Sequence, residues 1–182
     1  MFELKISPSY PNKYWFEYKH SNILASDFLK GAEFSREEHF DFYLKNKVSE
    51  NNLFSYDFYF SDGPLVISPR LASLLLDAND FLSGIQLLDA TMHVNNVEHS
   101  GYKVLNVIDV ISCIDMERSD SQPILSYLPN GPRKFNKIVF KNGISENFSL
   151  ARCQEHSSSL VISQTFRDFL LNKNAKGIDL FL

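Results

Sequence analysis

Hydrophobic and polar residues alternate in two early stretches of the chain. Over Lys13 to Lys19, Tyr14, Phe16 and Tyr18 share one face, and Lys13, Glu17 and Lys19 share the other with Trp15. Over Leu53 to Phe60, Phe54, Tyr56, Phe58 and Phe60 fall together. Alternation with aromatic residues predicts half-buried strands. Between them, Ser35-Arg36-Glu37-Glu38 has the spacing of a capping box. Phe40, Tyr43, Leu44 and Val48 follow at helical intervals, which predicts a helix over 36–47. Asn51-Asn52 would end it, and Asp62-Gly63-Pro64 makes a turn.

A repeated pattern follows. Leu65-Val66-Ile67-Ser68 is matched by Leu160-Val161-Ile162-Ser163. Each Ser stands where a helix N-cap belongs, and Pro69 takes the first helical position in the first copy. Leu71, Leu74, Leu75 and Ala78 correspond to Phe166, Phe169, Leu170 and Lys173, an apolar stripe at i, i+3 and i+4. Gly84-Ile85-Gln86-Leu87 is echoed by Gly177-Ile178-Asp179-Leu180. One unit, strand–Ser–helix–Gly–strand, thus occurs twice, over 64–89 and 159–182. Duplication and the shared constraints of a strand entering a capped helix both account for it.

Tyr102 to Asp115 is apolar on both alternating faces, as in a strand covered on both sides. Its length predicts a bend near Asn106. Asp115 to Pro132 reads as loop, Asn136 to Phe140 and Phe148 to Cys153 as strands, and Gln154 to Ser159 as polar loop. The fold expected is α+β: a mainly antiparallel sheet with two or three short helices, as one domain over 1–182 with an aromatic-rich part over 1–60.

Composition narrows the function. The net charge of −4 excludes the clustered basic surface of a nucleic-acid binder. The aromatic faces therefore read as core rather than as a stacking platform. No apolar stretch reaches the length of a membrane span, and no basic-then-apolar leader opens the chain, so a cytoplasmic protein is expected. Cys113, within an apolar run, is expected to be buried.

The signatures of phosphate loops, dinucleotide folds, nucleophile elbows and zincins are missing. His93 and His99 flank a hairpin turn at Asn95-Asn96, where they could meet across strands and hold zinc with Glu98. Two half-exposed histidines is the plainer reading. Asp115, Glu117 and Asp120, around Arg118, form an acidic loop after a buried strand. Such a loop suits acid–base chemistry or a cation, a solvated ion pair, or partner recognition. Partner contact through Asp115, Glu117, Arg118 and Asp120 is the preferred expectation; no catalytic residue, cofactor or metal is assigned.

Tyr102-Lys103-Val104-Leu105-Asn106-Val107, then Ser112-Cys113-Ile114-Asp115-Met116-Glu117-Arg118-Ser119, resembles the central signature of immunity protein family 11. The Ser163-capped segment and the strand after Gly177 resemble that family's ending, so the likeness covers about 60–182. The resemblance implies a non-enzymatic antidote from polymorphic-toxin or type VI secretion loci. It would bind a cognate toxin domain and block it by steric occlusion. A small hydrolase using the acidic loop or His93 and His99, and an oligomerisation module, are the alternatives. A homodimer stays open.

Overall fold

A computed structural model describes residues 1–128 and 131–181. Thirteen strands and four α-helices occur among them. In chain order these are β1 (Phe2–Ile6), β2 (Phe16–Lys19), α1 (Ala25–Phe28), β3 (His39–Leu44), α2 (Glu50–Leu53), β4 (Phe58–Tyr59) and β5 (Leu65–Ile67). Next come α3 (Pro69–Asp77), β6 (Ile85–Val94), β7 (Val97–Val107), β8 (Val110–Ile111), β9 (Asp120–Pro123) and β10 (Arg133–Lys137). The last are β11 (Leu150–Cys153), β12 (His156–Ile162), α4 (Gln164–Asn172) and β13 (Ile178–Phe181).

The strands form a six-stranded sheet ordered β2-β3-β6-β7-β5-β4, a five-stranded sheet ordered β13-β1-β12-β11-β8, and a two-stranded arm, β9-β10. Only β3–β6 and β8–β11 pair in parallel among the described strands. The architecture is α+β and dominated by antiparallel sheet, as expected.

A single large core joins both sheets and the helices. Phe40, Phe42 and Val104 come from the first sheet, Leu4, Leu150 and Leu160 from the second, and Leu71 and Phe166 from the helices. A smaller cluster on the other face of the second sheet holds Cys113, Ala151, Cys153 and Val161. Both cysteines are free and buried. Their thiols share a hydrogen bond, and this together with burial pushes Cys153 far above the ordinary thiol range.

The two Ser-capped units adopt one topology. β5 and β6 lie on either side of antiparallel β7, and β12 and β13 lie on either side of antiparallel β1. In each unit a helix therefore crosses over one intervening strand. Ser68 Oγ accepts from Leu71 N at 3.1 Å and Ser163 Oγ from Phe166 N at 3.2 Å. Gly84 and Gly177 both have positive φ, +69° and +106°. A Cβ at Gly177 would stand 2.8 Å from the Phe58 carbonyl oxygen, so glycine is required twice over there.

Several expectations are corrected. The segment 36–47 is not a helix; it contains strand β3. Phe40, Phe42 and Leu44 are buried at period two, and β3 gains hydrogen-bonding partners on both edges. Ser35 Oγ instead accepts from Glu37 N at 3.2 Å in a local turn. The aromatic stretch Leu53 to Phe60 ends helix α2 and forms strand only over Phe58–Tyr59. In the earlier stretch a 3-10 turn over Asn12–Tyr14 precedes β2, while Tyr14 and Phe16 are buried and Trp15 is exposed as expected. The long central strand does break near Asn106, as expected: it ends at Val107, and Ile108 N donates to Gly84 O at 2.9 Å. Part of the expected loop Asp115 to Pro132 forms β9, the next strand starts at Arg133 rather than Asn136, and β12 starts at His156 within the expected polar loop.

Candidate partner-binding surface

The segment leaving β8 is fixed by a residue that the sequence did not single out. Glu155 accepts from Ser112 Oγ at 2.6 Å, from the backbone N–H groups of Cys113 and Ile114 at 3.2 and 3.3 Å, and from Lys141 Nζ at 3.2 Å. Burial opposes its ionisation, but these donors outweigh it and hold the carboxyl below the usual range.

Asp115 then closes a turn. Its Oδ1 accepts from Glu117 N and Arg118 N, each at 3.1 Å, and its Oδ2 from Arg118 Nε at 2.7 Å. The Arg118 side chain also donates to Phe140 O at 3.2 Å. Hydrogen bonding from the Arg118 guanidinium lowers the Asp115 pKa. Arg118 is thus partnered within the fold, Asp120 accepts from Asn136 Nδ2 at 3.2 Å, and Glu117 is exposed. The four residues do cluster, but Asp115 and Arg118 spend their charge on each other. With Lys134 and Lys137 on the opposing strand, the segment is of mixed charge rather than acidic.

What distinguishes the segment is apolar. The β9–β10 arm is anchored by Phe135, whose ring lies 5.1 Å from that of His156 and packs against the smaller cluster. Beyond β9, Ile124 is 62% and Tyr127 80% exposed, with Leu125 and Leu128 also exposed and Met116 near the base. The chain is held in shape there: Ile124 N donates to Pro132 O and Leu128 N to Leu125 O, both at 2.9 Å. Large apolar side chains exposed in one run mark interaction surfaces. The signal was present in Ile124-Leu125-Ser126-Tyr127-Leu128, within a segment that reads as loop.

The hairpin at Asn95-Asn96 forms as expected, both residues having positive φ. His93 and His99 do not meet, however. His93 pairs with Glu98 and His99 with Met92, which places the histidines on opposite faces. His93 Nε2 lies 2.8 Å from Asp41 Oδ1 and its ring stacks on Tyr43 at 4.1 Å, whereas His99 packs on Phe54 at 4.6 Å. Among the described residues no group of three or more His, Cys, Asp or Glu side chains is placed to hold a metal ion. No helix among them is long and apolar enough to cross a membrane.

Fold and surface together define an α+β body of two sheets with a separate hairpin arm that carries exposed apolar side chains. No protein-family model and no curated protein sequence matches the chain.

Proposed function

We propose that this chain is a binding protein of the immunity type, which neutralises a cognate bacterial toxin domain by covering it. The observation that carries the reading is the arm: Ile124, Leu125, Tyr127 and Leu128 present apolar surface to solvent on a hydrogen-bonded scaffold. A centre of aromatic and aliphatic anchors ringed by polar residues is the composition of an inhibitory interface. Glu117, Asp120, Lys134 and Lys137 supply such a rim of both signs. The likeness of Tyr102 to Ser119 to immunity protein family 11 supports the choice of a toxin domain as partner, and the moderate negative charge favours a basic one through steering. The mechanism is steric occlusion, and residues 115–128 form the contact.

A search of the neighbouring genes for a toxin domain, followed by co-expression with it, tests the reading. The expected outcome is restored growth and a complex that survives purification. Growth arrest despite folded, abundant protein would refute it.

A further inference from the structure

A cleft of about 600 Å³ lies between the two sheets and shares no residue with the arm. This volume is typical of small-ligand sites. Phe28, Phe60, Leu65, Leu4 and Leu160 contribute to its lining, and exposed Trp15 and Leu29 stand among the lining residues. Two cations stand in the lining, Lys5, which is paired with Glu3 of the same lining at 2.9 Å, and Arg152. Arg152 pairs with Leu160 across β11–β12, and Leu160 with Leu4 across β12–β1. Residues directly opposite on neighbouring strands share a face. Both leucines belong to the core between the sheets, so Arg152 is aimed into the same space.

Arg152 is only 5% exposed. Its Nη1 donates to Ser157 O at 2.9 Å, while its Nε, shielded from solvent, has no hydrogen-bond partner. Burial lowers its pKa to about 10, so the guanidinium remains charged at neutral pH. Among the described residues no carboxylate is paired with it. Glu3 also lines the cleft, but in register it is aligned with Val161 and Ala151 rather than with Arg152. Its carboxylate is occupied by Ser159 Oγ at 3.2 Å and Lys5 Nζ at 2.9 Å. A buried cation without a counter-ion is costly to hold. An anion that arrives with its own apolar body would relieve that cost and fill the cleft.

We propose that this cleft is a binding site for a small monocarboxylate with an apolar body, whose carboxylate meets the Arg152 guanidinium and whose tail lies against Phe28, Phe60 and Trp15. An Arg–carboxylate contact of this kind is charge-assisted and two-pronged. The site is independent of the toxin reading, and each stands or falls alone.

Trp15 is the chain's single tryptophan and lies in the lining, stacked on Phe60 at 6.3 Å, so its fluorescence reports occupancy directly. The test titrates the full chain with octanoate, with 1-octanol (the tail without the charge) and with acetate (the charge without the tail). A saturable Trp15 response to octanoate is expected, with the other two at least about tenfold weaker. Arg152→Met should weaken octanoate by about tenfold or more while melting no lower than wild type, because it removes an unpaired buried charge. Should that variant fail to fold, Arg152→Lys keeps the charge without the fork and is expected to bind octanoate more weakly than wild type. No saturable response to octanoate, an equal response to 1-octanol, or an unchanged affinity in the folded Arg152 variant would overturn the proposal.

Discussion

Asp57 is expected to be the most sensitive polar residue of the body, and Asp57→Ala is the perturbation that shows it. Its carboxylate is buried and accepts four hydrogen bonds: from Ser68 Oγ at 2.8 Å, from Arg70 Nε and Nη2 at 3.0 and 2.5 Å, and from Lys176 N at 3.0 Å. One side chain therefore ties the α3 N-cap to the segment that enters β13, linking the two repeated units. Truncation leaves the Ser68 hydroxyl and the Lys176 N–H without an acceptor, about 1–3 kcal/mol each. The Arg70 side chain is half exposed and regains water, so its loss is discounted to about 1 kcal/mol. The whole comes to roughly 3–7 kcal/mol, a large share of the stability of an ordinary domain. Urea unfolding followed by Trp15 fluorescence and far-ultraviolet circular dichroism measures it. Arg70→Ala should cost about 1 kcal/mol, because it removes only the exposed partner. A cost below about 1 kcal/mol for Asp57→Ala, or equal costs for the two variants, would refute the reasoning.

Ser163→Ala should destabilise by about 1 kcal/mol through loss of the α4 cap, and Ser68→Ala by more, since Ser68 also donates to Asp57; equal losses in urea unfolding would contradict the hub at Asp57. Burial holds His156 below its ordinary value of 6.5, so its contribution is complete above that value and declines as pH falls below it. Asp115 and Glu155 lie below 3.8 and 4.5, so theirs is present above those values and lost only in stronger acid. Urea midpoints across a pH series should thus fall in two stages on acidification; a midpoint that rises between about pH 7 and about pH 5 would contradict the assignment. Cys113 and Cys153 should resist a thiol reagent in native protein and react once it is unfolded, as followed by mass spectrometry.

Much of the fold was legible where one local pattern had one meaning. The Ser-capped helices and the Asn95-Asn96 hairpin are written in residues that satisfy orphan N–H groups or tolerate positive φ. β3 was not legible, because Phe40, Tyr43 and Leu44 fit a helical stripe while Phe40, Phe42 and Leu44 fit a strand. The choice is made by β2 and β6, which bond both edges of β3. Paired strands at that distance in sequence leave no local signal. The site followed the same division. The Asp115–Arg118 ion pair is local and could be read, but the anchoring role of Glu155 depends on β8 and β11 lying side by side. Nor does anything in Leu150-Ala151-Arg152-Cys153 announce a buried, unpaired guanidinium. That follows from register, which places Arg152 beside Leu160.

The claim that this chain acts by binding a toxin domain through its arm is tested most directly by one affinity measurement. Calorimetric titration of the purified toxin domain with wild-type protein and with the double variant Ile124→Asp and Tyr127→Asp gives the answer. Both side chains are exposed, so the variant should fold and melt like wild type. The account predicts one-to-one binding by wild type and a loss of about 2 kcal/mol or more in the variant, as for anchors at an interface centre. Equal affinity of the two proteins for the toxin domain would contradict the arm, and no binding by wild type would contradict the function.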